Sequence, residues 1–320
     1  MNEIDETDIN DKWILSGRGS KNNVEYDRPY AWMTEKERTP EGTIEETAII
    51  FLTNRECPFH CLMCDLWKNT TDTASPSGSI PAQIEYALGR LPETRHLKLY
   101  NSGSFFDERA IPETDYKRIA SLTSHFDTIL VESHPRLIDS KALRFRDLLT
   151  PSLHVAMGLE TVHPAVLKKL NKKMTVRDFR EAVRFLGKNN ILARAFVLLR
   201  PPFLSEEEGI VWAKRSIEYA FESGVECCTV IPVRGGNGAM DMLQSKGLFS
   251  PPKIISLEKV LEFGISLGKG RVFADLWDLE RFLSCNMCYD KRRERLEFMN
   301  MNQLVPTEIK CSCDLTDRVQ

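Results

Sequence analysis

From residue 46 to about 238, short apolar runs alternate with stretches whose apolar positions recur every three or four residues. "ETAIIFLT" (46–53) has the continuous apolar character of a buried strand. "PAQIEYALGRL" (81–91) has helical spacing and opens with a proline. "HLKLYNSGS" (96–104) predicts a strand running into a small polar turn, and "DTILVESHP" (127–135) a strand stopped by Pro135. "DSKALRFRDLL" (139–149) predicts a helix capped by Asp139 or Ser140. "LHVAMGLET" (153–161) predicts a strand, "TVRDFREAVRFLGKNN" (175–190) an amphipathic helix, and "ILARAFVLLRPP" (191–202) a strand broken by two prolines. "SEEEGIVWAKRSIEYAFESG" (205–224) opens on a cap and ends in glycine, and "VECCTVIPVRGGNG" (225–238) is a strand feeding a glycine-rich turn.

Six strand-then-helix units in series predict a parallel sheet with helices outside, an α/β partial (β/α)6 barrel shorter than the eight-unit one. In such folds reactive groups gather at the C-terminal ends of the strands. The unusual polar clusters all fall there: residues 57–64, Asn101 to Ser104, Glu132 to His134, Glu160, Arg200, and Arg234 to Gly238. Residues 1–44 are polar without sustained periodicity and are read as an N-terminal arm, leaving 45–250 as the core. In 251–320 the pattern changes: a helix at 256–268, a partial strand at 270–279, then "CNMC" (285–288), "KRRERL" (291–296) and "CSC" (311–313). This reads as a small cysteine-rich C-terminal extension.

Composition narrows the class. With 320 residues, 42% hydrophobic and 28% charged, the chain is of ordinary globular type. No apolar run reaches bilayer-spanning length, and the acidic start "MNEIDETDINDKW" is unlike a secretory signal, so a cytoplasmic location is expected. There thiols stay reduced, and clustered cysteines usually mean metal. A net charge of −3 weakens a nucleic-acid reading without excluding a local basic patch.

Three of the nine cysteines lie within "NRECPFHCLMCDLW" (54–67): Cys57, Cys61 and Cys64, with gaps of three and two residues. Thiolates are soft ligands for zinc or iron–sulfur clusters. A zinc site would want a fourth ligand, and His60 is the local choice; a plain cysteine-rich turn is the other alternative. The position decides against both, because the loop follows the first barrel strand and opens on the barrel mouth. C-x3-C-x2-C in this context resembles the signature of the radical S-adenosylmethionine (SAM) superfamily. The resemblance implies a 4Fe–4S cluster on the three cysteines, with SAM chelating the open iron and cleaved reductively to a 5′-deoxyadenosyl radical. It also implies a low-potential electron donor such as ferredoxin or flavodoxin. It places Met63 against the adenine, where an aromatic is usual. It gives the SAM amino group to the backbone carbonyls of Asn101, Ser102 and Gly103, and the ribose to Glu160. Val197 to Leu199 would flank the adenine or simply belong to the core. Arg200 would pair with the SAM carboxylate or salt-bridge a neighbouring loop.

"VESHPR" (131–136), "GLETVHPAVLKKLNKKMT" (158–175) and "RAFVLLRPPFLSEEEGI" (194–210) resemble the branch that contains the Elongator catalytic subunit. "LYNSGSFFDERAIP" (99–112) and "FADLWDLERFLSCNMCYDKRRERLEFMN" (273–300) are similar to the archaeosine synthase radical-SAM subunit family. That likeness implies a partner subunit and cleavage of a C–N bond in a lysine adduct of a 7-deazaguanine base in tRNA. Alternatives are a non-RNA small-molecule substrate, or a non-catalytic zinc-stabilised binding module.

Cys285, Cys288, Cys311 and Cys313 form C-x2-C and C-x-C pairs that could close a zinc site or an auxiliary iron–sulfur cluster. "KRRERLEF" between them is either a solvated helix face or a contact for RNA phosphate. Adjacent Cys227 and Cys228 face opposite sides of a strand and read as small buried hydrophobes. "VRGGNG" (233–238) could cradle an anion or be a plain turn. Asp275 and Asp278 could meet a substrate amine, and His134 either lines the mouth or is structural.

Overall fold

The computed structural model describes residues 9–283 and 285–314. Its main sheet has eight strands hydrogen-bonded in chain order: β1 (Ala31–Arg38), β2 (Ile44–Leu52), β3 (His96–Asn101), β4 (Thr128–Glu132), β5 (Ser152–Glu160), β6 (Leu192–Leu199), β7 (Cys227–Pro232) and β8 (Arg271–Ala274). β2 to β8 run parallel, and β1 pairs antiparallel with β2. The sheet curls into a half-barrel with helices on its convex side.

Period-two alternation divides the strand residues between two environments. Ala48, Ile50, Leu52, Leu97, Leu99, Ile129, Val131, Val155, Met157, Val197 and Leu199 belong to one buried cluster with helix residues such as Ile84, Phe145, Phe179 and Ile217. Each such side chain contributes about 1.5–3 kcal/mol on burial. The helices start and stop where their end residues require. Ser205 and Glu208 form a capping box on Glu206–Ser223, which ends at Gly224 in the left-handed region (φ 106°). Thr175 and Asp178 do the same for Val176–Lys188, and Asp139 rather than Ser140 caps Ser140–Arg146.

Two features extend the reading from sequence. The stretch 1–44 is not merely an arm: it supplies β1 and the short helix Asp11–Ser16. The sheet also does not stop after six parallel strands. β8, from beyond residue 250, pairs with β7 and extends it. β1 escapes a hydrophobicity reading because what it brings to the sheet is charge. Lys98, between the core residues Leu97 and Leu99, points to the concave face and meets Glu35 and Glu37 of β1, each at 2.5 Å. Arg194 reaches Glu37 at 2.5 Å from β6. An acidic edge strand is thus held by buried cations of the parallel strands.

Burial opposes ionisation of Glu37, but Arg194 and Lys98 outweigh it and hold its carboxyl well below the usual range. A carboxyl depressed in the fold stabilises above its unfolded pKa, about 4.3. That contribution is lost as pH falls through the folded value. Glu37→Gln should therefore cost about 3 kcal/mol at neutral pH and flatten the acid limb of stability below about pH 4. Urea unfolding at a series of pH values checks this, and a variant curve that runs below and parallel to that of the unmodified chain would show that Glu37 is not the group responsible.

Candidate functional site

The loop carrying Cys57, Cys61 and Cys64 leaves the C-terminal end of β2. Its two ends are tied together by a small parallel bridge between Asn54–Arg55 and Thr70–Thr71. Distant segments fix what lies between. The Leu62 amide donates to the Leu170 carbonyl (2.9 Å), and the Asn171 side-chain amide donates to the His60 carbonyl (2.7 Å). Asn237, in the glycine-rich turn after β7, donates to the carbonyls of Leu62 (2.8 Å) and Cys64 (3.1 Å). Leu62 is fully buried in a second apolar cluster with Leu170, Leu198 and Met240, and Met63 packs partly against it. Arg18 and Lys21 clamp Glu56, next to Cys57, at 2.5 and 2.8 Å.

Burial pushes the thiols up, Cys57 to about 11 and Cys61 and Cys64 to about 12. Thiols this reluctant to ionise suit a metal that deprotonates them on binding better than a free nucleophile. His60 faces Asp11 (3.5 Å) and Glu56 (3.8 Å), so its ring is engaged with the N-terminal segment.

The turn after β3 meets the loop directly. A Cβ placed on Gly103 would stand in van der Waals contact with Cβ of Cys57 (3.6 Å) and tightly against Nδ2 of Asn54 (3.3 Å), so the turn lies directly on the loop. Beside it, Asn101 and Ser102 are almost wholly buried. The side-chain Oδ1 and Nδ2 atoms of Asn101 have no hydrogen-bond partner among the described residues, while the Ser102 hydroxyl faces that of Tyr30. Such buried orphans cost about 1–3 kcal/mol each. They suit a polar ligand at this turn.

Glu160 ends β5 in the left-handed region (φ 65°) and is buried against Lys172, Nζ to Oε1 2.5 Å. Gly158 makes the pair fit, since a Cβ there would come within 2.0 Å of Oε1 and 2.5 Å of Nζ. Glu132, at the end of β4, is pushed up to about 8 by burial, with Lys172 opposing. His134 stacks on Phe59 of the cysteine loop (3.8 Å between rings) and its Nε2 donates to the Lys172 carbonyl (2.9 Å). Burial and Lys172 depress it to about 3, so it is a neutral structural histidine.

Other expected positions are placed differently. Val197 and Leu199 lie in the helix-facing core; Leu198, of opposite phase, joins the apolar group under the loop. Arg200 pairs with Glu206 (2.6 Å) and the Pro251 carbonyl (2.8 Å), which is its salt-bridge alternative. The amides of Gly236 and Gly238 donate to the two carboxylate oxygens of Asp241, both at 2.8 Å, so the anion that "VRGGNG" cradles is the chain's own. Asp275 is held by Arg234 (2.8 Å), and Asp278 sits at φ 50° before a short turn. Cys227 and Cys228 are fully buried, as read. "KRRERL" lies on the helix Tyr289–Asn302, but Arg292 and Arg295 turn inward to Glu258, which removes two charges from the phosphate-binding face. Sequence reasoning missed Lys172, Asn237 and Asp241. Lys172 sits among lysines 168, 169 and 173, and nothing local distinguishes the one that is buried. Asn237, inside the quoted "GGNG", was the one signal available.

Searched against family models, the chain matches none. Among solved structures it is similar to Elp3 of Methanocaldococcus infernus (14% identity, TM-score 0.53, 79% of this chain and 63% of that one). It is also similar to methylornithine synthase (13%, 0.54, 82% and 74%). The fold is that of the radical SAM enzymes. An uncharacterised protein of Methanocaldococcus jannaschii is 24% identical over 89% of this chain and 85% of its own length. Two proteins named archaeosine synthase subunit beta, from Methanosarcina acetivorans and Thermococcus kodakarensis, are 29% and 28% identical over 63% and 49% of this chain. Those alignments span 60% and 51% of the two subunits' own lengths. The likeness to this archaeosine synthase subunit is met again in alignments over 63% and 49% of this chain, and the radical SAM resemblance in the fold. Within this radical SAM fold the three-cysteine loop and the Asn101–Gly103 turn share the mouth of the half-barrel. No helix among the described residues is long and apolar enough to cross a membrane.

The Glu160–Lys172 pair gives a direct test of this arrangement. Lys172→Ala leaves a buried carboxylate unpaired and should lower stability by about 3–5 kcal/mol. Adding Glu160→Ala should recover part of that loss, as a double-mutant cycle in denaturant would show. Strictly additive losses would mean that the two groups do not interact.

Proposed function

We propose that this chain is a radical SAM enzyme that holds a 4Fe–4S cluster on Cys57, Cys61 and Cys64. The observation that carries the reading is the closeness of the Gly103 turn to Cys57, beside the unsatisfied side-chain amide of Asn101. The donor set fits the group: three soft thiols, buried at a strand end, whose ionisation needs a cation nearby. Once bound, cluster and SAM together supply a 5′-deoxyadenosyl radical that abstracts hydrogen from substrate.

The protein's share is binding, orientation and exclusion of water. The loop backbone is held by the Leu170 carbonyl and by the side-chain amides of Asn171 and Asn237, so the three thiols are presented without help from the metal. The carbonyls of Asn101, Ser102 and Gly103 take the SAM amino group, and Met63 packs against the adenine. Lys172 holds Oε1 of Glu160, and we assign Oε2 to the ribose. A low-potential donor such as ferredoxin or flavodoxin supplies the electron.

For substrate we favour a modified nucleobase in tRNA, cleaved at a C–N bond, because two relatives are named archaeosine synthase subunit beta. Their naming as a subunit supports a partner chain. Phe51, Tyr100 and the half-exposed Trp277 form an aromatic wall at the mouth (ring distances 5.7 and 5.3 Å) on which a base could stack. A free small molecule is the second reading. It is favoured by the inward turn of Arg292 and Arg295, which leaves the basic stretch little to offer a phosphate backbone. Formation of 5′-deoxyadenosine on addition of tRNA with the partner, but not of free nucleosides, separates the two.

Anaerobic reconstitution should give the broad brown absorbance of an iron–sulfur cluster, and a Cys57→Ala/Cys61→Ala/Cys64→Ala variant should lack it. An unchanged spectrum in that variant would place the cluster elsewhere. Glu160→Gln keeps the side chain's shape and should weaken SAM binding by about 1.5–3 kcal/mol without loss of iron. Equal SAM affinity in that variant would remove Glu160 from the ribose site.

A further inference from the structure

The second cysteine set converges from two separate segments. Cys285 follows the turn Leu279–Phe282, and Cys288 caps the helix Tyr289–Asn302. Cys311 and Cys313 come back from beyond that helix. All four Sγ atoms lie within 4.8 Å of one another, with Cys285–Cys311 at 3.8 Å and Cys288–Cys313 at 3.7 Å. These spacings choose between kinds of metal centre. Four thiolates around one ion, with metal–sulfur bonds of about 2.3 Å, stand about 3.8 Å apart on the edges of a tetrahedron. A cubane gives each thiolate its own iron, which sets the sulfurs roughly 6 Å apart, and a two-iron cluster separates its two cysteine pairs by as much. A disulfide requires about 2.05 Å. A single tetrahedral ion fits all four sulfurs; a cluster does not.

The surroundings are built for that ion. Nε of Arg292 donates to Sγ of Cys288 at 3.3 Å, and Nη2 reaches the Ile309 carbonyl at 3.3 Å. Arg295 donates to the carbonyls of Thr307 (2.9 Å) and Pro306 (2.8 Å). Both arginines are nearly fully buried and anchored on Glu258 of the helix Ile254–Ser266. They therefore hold the returning chain by its backbone and deliver Cys311 and Cys313 to the other pair. A tetrathiolate zinc carries two net negative charges, and a guanidinium donating to one sulfur offsets part of them.

We propose that Cys285, Cys288, Cys311 and Cys313 bind one structural zinc ion, distinct from the radical cluster. Zinc is preferred over ferrous iron at such a thiolate site by the ordinary order of divalent affinities. The ion staples the segment that crosses the open side of the half-barrel. That segment includes Trp277, packed on Phe51, and Arg281, whose Nη2 reaches the Gly235 carbonyl at 3.4 Å. This assignment stands whether or not the radical SAM reading is right.

Metal analysis of the anaerobically purified chain should give one zinc per chain. The same zinc count should persist in the Cys57→Ala/Cys61→Ala/Cys64→Ala variant, which separates this site from the cluster. Cys311→Ser/Cys313→Ser should lose the zinc and become cleavable by protease at residues 303–314. Should that variant not accumulate folded, cobalt(II) loaded into the unmodified chain should show the ligand-field bands of a tetrahedral tetrathiolate at one equivalent. Iron and sulfide retained in the triple variant would overturn the proposal in favour of a second cluster. Disulfides among the four cysteines, or no zinc or cobalt uptake with all four thiols open to alkylation, would overturn it as well.

Discussion

Three consecutive residues hold the mouth of this half-barrel together. Leu170 accepts the Leu62 amide, Asn171 donates to the His60 carbonyl, and the Lys172 carbonyl accepts from His134. The Lys172 side chain then turns under the loop to Glu160. One short turn thus fixes the backbone of the cysteine loop, the ring stacked on it, and the carboxylate at the end of β5. Asn171 and Lys173 both sit at positive φ (54° and 57°), so the chain accepts local strain to aim these groups. The buried ammonium also faces two of the three thiols and opposes the effect of burial on them. The three thiols, Glu160 and the loop backbone therefore share this support.

The barrel is charged at its base and apolar against its helices. Lys98, Arg194 and Arg271 gather around Glu37 and Glu226 at the lower end of the concave face, while the aromatic wall of Phe51, Tyr100 and Trp277 stands nearer the mouth. Buried ion pairs of this sort contribute little net stability relative to well-packed apolar residues, but breaking one leaves an uncompensated charge. They fix the register of β1 on the sheet.

Much of this was legible because strand and helix periods differ and caps are chemically specific. The cap and closing glycine of 205–224 and the amphipathic spacing of 175–190 marked helices that the structure keeps, and the cysteine spacing marked the loop. β1 was not legible, because "AWMTEKER" satisfies its neighbours through Glu35 and Glu37 rather than through apolar area. Nor was the loss of the glycine turn as an anion site, since it depends on Asp241 folding back three to five residues later in the chain. Arg292 and Arg295 read as a basic surface because a sequence shows charge without showing direction. Their partner Glu258 lies more than thirty residues away.

That inward turn bears on what the mouth can recognise. Several cations near it are already matched by acids: Lys172 by Glu160, Arg18 and Lys21 by Glu56, Arg200 by Glu206, and Arg234 by Asp275. A surface that neutralises its own cations releases few counterions on meeting a phosphate backbone, and so gains little of the salt-dependent affinity that drives RNA binding. The aromatic wall is suited to a single base, which needs stacking more than charge. If the substrate is tRNA, its backbone must be gripped elsewhere, and this division of labour is the physical reason for assigning that grip to a partner subunit. The half-barrel then has to receive only the modified base, flipped out of its stack and laid against Trp277 and Phe51.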